Sequence, residues 1–418
     1  MLTIQSLIDD LAAGCKPKDQ WRIGVEHEQF AFDKKTLAPL PYDGKKACIR
    51  KLLETFAAGH DWKIKFENGN PIALEKNGMI VSLEPGGQFE YSGSPLSTLT
   101  QVRAEMDSFY NNVRETAASL GIDFLPLGFH PQWTREDIHW MPKSRYGIMR
   151  EHMPKKGGHG IDMMIRTCGA QVNLDFETEQ DMIRKYRVSL ALQPAITALM
   201  ANSHMKESAD TGYASYRSYC WTDTDPARCG VPAFVFGDDM SFTRYVEYAL
   251  SVPMIFFRRN EKHIPAAGQS FRAFMEGKLP GHEGELAAME DWHDHLTTLF
   301  PEVRLKRYLE LRGPDSNPPD MVLAMAAFWT GIFYNEDALA KAGILIAGWP
   351  IAKHRRLRRD AAHLGLEAPV DDRWRNLAAL AEGAIDIAAN GLPGPDQILL
   401  EPFYEKLTRE ARRTRAAS

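Results

Sequence analysis

Glu26 and Glu28, in the string Glu26-His27-Glu28, are the first residues of this chain whose types and spacing could do chemistry. Residues two apart on an extended strand share a face. Two like charges held together are unfavourable unless a cation or base neutralises them. Carboxylate oxygens are hard ligands that suit magnesium, which keeps waters and substrate phosphates as its other ligands. A solvent-facing acidic strand is the competing reading of this segment alone. A second acidic group follows in Ser82–Glu90 (SLEPGGQFE). Glu84 ends one strand, Pro85-Gly86-Gly87 permits a close backbone approach to a ligand, and Gln88 and Glu90 share a face of the next strand.

Basic residues supply the complementary chemistry. The segment Arg304 to Arg312 reads as one alternating strand with Arg304, Lys306, Glu310 and Arg312 on a single face. Such a face could serve metal and phosphate together, because guanidinium offers a bidentate fork to phosphate oxygens. A salt-bridged exposed strand is the alternative. Gln171, Asn173 and Asp175 form another polar strand face, closely preceded by Arg166. Arg217, flanked by aromatics in Tyr216-Arg217-Ser218-Tyr219, could clamp a carboxylate or simply stack on a ring. Lys155-Lys156-Gly157-Gly158-His159-Gly160 is a weak candidate for a phosphate loop. No general base is evident, since strand geometry points His27 away from its acidic neighbours.

The elements that must position these groups follow from periodicity. Strands are expected at Arg22–Phe32, Trp62–Phe66, Met79–Leu83, Gln88–Ser92 and Ala170–Phe176, with a hairpin-type turn over Glu67–Pro71. Helices are expected at the N-terminus, Lys46–Ala58, Leu96–Leu120, Glu179–Ala201 and through the last ninety residues, Asn376–Ala389 most clearly. Strands and helices mix without regular alternation, which indicates α+β around a largely antiparallel sheet.

Composition excludes several classes. The chain has 418 residues, is 44% apolar and carries a formal charge of -5. That mild acidity argues against a nucleic-acid partner. Its longest apolar run, Met321–Tyr334, is too short to span a membrane. Five cysteines without CxxC spacing argue against a disulfide framework or zinc finger. Lys353–Arg359, the one basic block, reads as a solvated helix face. A cytoplasmic location is the default expectation.

In combination, Gly24–Glu28, Ser82–Glu90, Met163–Phe176 (MMIRTCGAQVNLDF), Trp221–Asp225 (WTDTD) and Val303–Gly313 (VRLKRYLELRG) resemble the plant-type glutamate–cysteine ligases, and the chain reads as a bacterial member of that group. The resemblance implies ATP- and magnesium-dependent ligation of the glutamate side-chain carboxylate to the cysteine amine, the first step of glutathione synthesis. It implies a fold related to glutamine synthetase, with a curved antiparallel sheet forming a funnel. It maps metal ligands onto Glu26, Glu28, Glu84, Glu90 and Glu310, with Gln171 where a related branch has histidine. Arg312 would face the transferred phosphate, Lys306 and Arg304 would contact phosphate or nucleotide, and Arg217 and Arg166 would hold glutamate or phosphate. Residues 1–335 would form the catalytic core and 336–418 a helical region packed on it, acting as monomer or homodimer. The regulatory cysteine pair of the plant enzymes is replaced by Ala266 and Gly281. The rival reading is a sister ligase that uses glutamate with a different amine acceptor.

Overall fold

A computed structural model describes residues 2–260 and 262–417, the side chains of 413–417 apart. A 9-stranded sheet organises the chain. Its strands are β1 (Ile23–Asp33), β2 (Lys63–Glu67), β3 (Asn70–Lys76), β4 (Met79–Leu83), β5 (Phe89–Ser92), β6 (Ile122–Leu125), β7 (Ala170–Leu174), β8 (Val303–Leu305) and β9 (Leu309–Leu311). The order is β8-β9-β7-β1-β5-β4-β3-β2, with β6 also paired to β1. Every pairing in this sheet is antiparallel.

Helices pack around the sheet. Those used below are α1 (Leu99–Ser119), α2 (Ser144–His152), α3 (Gly160–Arg166), α4 (Glu179–Leu199), α5 (Tyr216–Cys220), α6 (Pro319–Phe333), α7 (Ile351–Leu364) and α8 (Leu377–Gly391). From Val322 to Phe333 every residue of α6 is buried. A helix apolar all round belongs inside a protein, and α6 packs on β1 and β7 on one side and on α8 on the other. Across the sheet, Val25, Val172, Leu311 and Val303 stand side by side in one buried row, with Ile23, Leu174 and Leu309 in the next. Burying each such side chain stabilises the fold by roughly 1.5–3 kcal/mol. These rows fix the register, because a slip of one residue would turn the carboxylates of β1 into the apolar layer.

The structure departs from the sequence reading in two places. Asn70–Lys76 is a strand rather than the end of a turn; its hairpin with β2 places Asn68 and Gly69 at positive φ. Arg304–Arg312 is a tight hairpin, not one strand: Lys306-Arg307-Tyr308 reverses the chain, and the Lys306 amide donates to the Tyr308 carbonyl at 2.8 Å. Arg307 turns outward and pairs with Asp10 at 2.6 Å, tying the bend to the first helix. Among the described residues no helix is long and apolar enough to cross a membrane.

Candidate active site

Antiparallel register brings the polar faces together. Glu28 stands opposite Glu90, which stands opposite Ser82. Glu26 stands between Ser92 and Gln171. Gly24, Asn173, Glu310 and Arg304 form a third row. A Cβ at Gly24 would meet the Asn173 Cβ at 3.2 Å, a tight approach. These rows floor a cavity of about 260 Å³.

Four carboxylates (Glu26, Glu28, Glu84, Glu90) and four guanidinium groups (Arg145, Arg217, Arg304, Arg312) line that cavity. Each strand carboxylate is held by a donor. Asn173 Nδ2 donates to Glu26 at 2.7 Å, and Gln171 Nε2 and the Gly169 amide donate to Glu28 at 2.9 and 2.7 Å. Ser82 Oγ donates to Glu90 at 2.6 Å. Burial, then the neighbouring carboxylates Glu310 and Glu90, push Glu26 up to about 7. Burial, Glu90 and Glu84 push Glu28 up to about 8. Glu90 is raised by burial and Glu84. These oxygens crowd one another and favour a positive partner.

Glu310 behaves oppositely. Burial alone would raise it, but Arg304, Lys306 and Arg312 win and hold its carboxyl well below the usual range. Arg304 grips it with two bonds of 2.8 and 2.7 Å, Lys306 lies at 3.2 Å, and Arg312 donates to it as well. With its oxygens so taken, Glu310 sits behind the cavity wall and aims Arg304 and Arg312 rather than offering a free ligand atom. Lys306 lies outside the lining for the same reason. Gln171 bridges Glu28 and Arg312, its oxygen accepting from Arg312 at 3.2 Å.

Other expectations are corrected. Arg166 does not line the cavity. It is buried over the Phe129 ring, 4.7 Å to the centroid, and pairs with Asp162 at 3.2 Å and Glu207 at 2.9 Å. Gln88 spends its amide on Gly86, Met164 and Thr167. Gly86 serves protein packing, not ligand approach: a Cβ there would lie 2.5 Å from the Ile165 carbonyl oxygen. Asp175 is tied to Lys16 at 2.8 Å and to the Arg22 amide at 2.7 Å. The glycines 157 and 158 pack on Asp223 and Thr224. The basic block is only partly solvated: Arg355 and Arg359 are exposed, whereas Arg356 and Arg358 are half-buried and bonded.

Arg217 does reach the cavity. Its guanidinium donates to the Gly313 and Arg312 carbonyls at 2.7 and 3.2 Å, while Nε is buried without a partner. Sequence reasoning missed Arg145, at the start of α2, whose guanidinium feels Glu84 and Glu90. No sequence signal marks it: Lys143 Nζ and the Tyr146 hydroxyl donate to the Leu83 carbonyl at 2.8 and 2.5 Å, so it is the fold that bolts α2 to the strand that delivers Glu84. The apolar wall of Met149, Met163, Met164, Trp221, Phe256 and Phe300 was also missed.

The donor set fits magnesium in kind. Hard carboxylate oxygens line the cavity, and Asn173 Oδ1 on the same face is a buried acceptor without a partner. As arranged, no group of three or more His, Cys, Asp or Glu among the described residues is close enough to hold a metal ion.

Comparison with known proteins shows the family. A model of glutamate–cysteine ligase family 2 matches residues 22–389. The chloroplastic glutamate–cysteine ligase B of Oryza sativa subsp. japonica is 50% identical over 391 residues, covering 94% of this chain and 78% of that one. The chloroplastic ligase of Arabidopsis thaliana is 49% identical over 391 residues, covering 94% and 74%. Among solved structures, the glutamate–cysteine ligase of Francisella tularensis in complex with AMP aligns with a TM-score of 0.53 at 12% identity, covering 93% of this chain and 82% of that one. That likeness is one of fold, and the mainly antiparallel sheet with surrounding helices is the α+β architecture expected from the sequence. The matched segment contains every cavity residue from Glu26 to Arg312, and the chain belongs to glutamate–cysteine ligase family 2.

Proposed function

We propose that the chain joins the side-chain carboxylate of glutamate to the amine of cysteine, using ATP and releasing ADP and phosphate, as the first step of glutathione synthesis. The observation that carries this reading is the single cavity in which carboxylates on β1 and β5 face Arg217, Arg304 and Arg312. A carboxylate does not form an amide directly, because oxide is a poor leaving group. Phosphorylation by ATP turns that oxide into phosphate.

The chain's own residues divide the work. Arg312 and Arg304, held by Glu310, face the phosphoryl group and stabilise its negative charge during transfer. Magnesium, held by Glu26, Glu28, Glu84 and Glu90, would screen the nucleotide phosphates. Arg217 and Arg145 offer fixed positive charge to the amino-acid carboxylates. The methionine and aromatic wall keeps water from the acyl phosphate until the cysteine amine attacks it.

The remaining parts of the proposal have separate support. Residues 336–418 belong with 1–335 in one structural unit, because one cluster of buried apolar residues runs from Leu7 to Phe403. A monomer or a homodimer is the proposed working form. Five free cysteines fit a reducing compartment such as the cytoplasm. ADP release measured with glutamate, magnesium and a panel of amines tests the activity, with the product weighed by mass spectrometry. Stronger stimulation by another amine than by cysteine would make this a sister ligase with a different acceptor. No ADP release with any amine would overturn the reading.

A further inference from the structure

Resting on the ligase reading above, we propose that Arg358, on α7 and far from the sheet in sequence, is a positioning residue for the catalytic cavity. Its ion pair with Glu302 and its bond to the Trp221 carbonyl hold the wall that carries Trp221 and Arg312.

Arg358 Nε donates to Glu302 Oε1 at 2.5 Å, and its terminal nitrogen donates to the Trp221 carbonyl at 3.1 Å. One guanidinium therefore spans two segments of the cavity wall, which is what a rigid planar fork does well. Glu302 immediately precedes β8. Its backbone carbonyl accepts from the Arg312 amide at 3.0 Å. Its carboxylate presses on Gly313, where a Cβ would lie 2.8 Å from Oε2. The Gly313 carbonyl in turn accepts from Arg217 at 2.7 Å. Glu302 thus touches the backbone supports of both Arg312 and Arg217. Trp221 follows α5, lines the main cavity and lies 6.0 Å from the Arg217 guanidinium, ring centroid to Cζ.

Apolar packing does not replace this clamp. A small side cavity opens between Arg217, Trp221, Arg312 and Glu302, and another opens behind it between Gln193, Glu302 and Arg358. Both amide atoms of buried Gln193 lack partners there. The wall between the cavity and the C-terminal helices therefore contains small gaps and an unpaired amide, and the Arg358–Glu302 pair bridges it. Side-chain exposures of 17% and 14% leave the pair partly screened. A purely structural role would show in melting and in nothing selective in kinetics, whereas misplacing a cavity wall by about 1 Å can cost on the order of a hundredfold in rate.

The test compares Arg358→Ala, Arg358→Lys, Glu302→Gln and, as control, exposed Arg359→Ala. With ADP release as assay, Arg358→Ala raises the KM for glutamate roughly tenfold or more while its melting temperature stays close to wild type. Arg358→Lys, which keeps the charge but only part of the fork, recovers part of the loss, and Arg359→Ala behaves as wild type. A second readout needs no activity: in fluorotryptophan-labelled protein the Trp221 fluorine resonance, assigned by its loss in Trp221→Phe, moves in Arg358→Ala and not in Arg359→Ala. If Arg358→Ala does not fold, Glu302→Gln and Arg358→Lys carry both measurements. Folded variants with kinetics within about twofold of wild type and an unmoved Trp221 resonance would overturn the proposal. Absence of ADP release by the wild type would instead overturn the ligase reading, and the resonance would still decide whether Arg358 holds Trp221.

Discussion

Glu310→Gln tests the electrostatic logic of the site most directly. In the folded protein the Glu310 carboxylate is 1% exposed and is gripped by Arg304, Lys306 and Arg312. Glutamine has nearly the same shape but no charge, so three cations would be left facing one another in a poorly solvated site. Removing one partner of a buried ion pair costs about 3–5 kcal/mol. An unfolding entropy of roughly 2.1 cal/mol/K per residue over 418 residues comes to about 0.9 kcal/mol/K. The melting temperature should therefore fall by about 3–6 °C. The effect depends on pH with a definite sign. Glu310 is depressed below its unfolded value, so its stabilisation is full above the ordinary carboxylate range and is lost as acid protonates it. The difference between wild type and variant should thus be largest near neutrality and shrink in acid. Thermal unfolding followed by circular dichroism at several pH values measures both. A variant melting within about 1 °C of wild type at pH 7 would refute the view that Glu310 organises these cations.

Four further outcomes are expected. Arg312→Ala, or Glu26→Gln, should lower turnover by on the order of a hundredfold or more in folded enzyme, read from ADP release. Arg166→Met should lower the melting temperature by removing the anchor for Asp162 and Glu207, yet leave the KM for glutamate within about twofold, because Arg166 lies outside the cavity; a large KM change would restore it as a substrate ligand. Burial holds His295 and His354 down at about 4 and His130 at about 3. Neutral when folded but protonated when unfolded below about pH 6.5, each withdraws stability as pH falls toward 4, while the raised Glu26 and Glu28 act in the opposite direction; His295→Gln should therefore make denaturant stability fall less steeply, or rise more, from pH 6.5 to 4 than in wild type, and an unchanged slope would contradict burial of His295 as a neutral ring. Gly86→Ala should destabilise by about 1–3 kcal/mol, because its Cβ would meet the Ile165 backbone; unchanged urea unfolding would show that the Pro-Gly-Gly turn can relax.

What could be read from the chain alone was local. Period-two alternation placed Glu26 and Glu28 on one face of a strand and His27 on the other, and the structure buries His27 between Tyr110 and Ser316 as that geometry requires. The family motifs also pointed to the fold, because they spread along most of the sheet-forming chain. Alternation carries no information about which strand lies beside which, or in what register. Arg304 and Glu310 were expected on one face of a single strand. They meet instead as opposite residues of a hairpin, and only that pairing lets one carboxylate bind three cations. Arg145 was invisible because its partners, Glu84 and Glu90, are brought to it by the fold. Arg166 was misplaced for the converse reason: its neighbours Asp162, Glu207 and Phe129 take its charge and its face away from the cavity. Residue types and spacing along the chain thus determined the class of chemistry, carboxylate oxygens with guanidinium groups. Tertiary structure decided which of those charges face the cavity and which are spent on one another, since ion pairing acts over a few ångströms in space irrespective of separation along the chain.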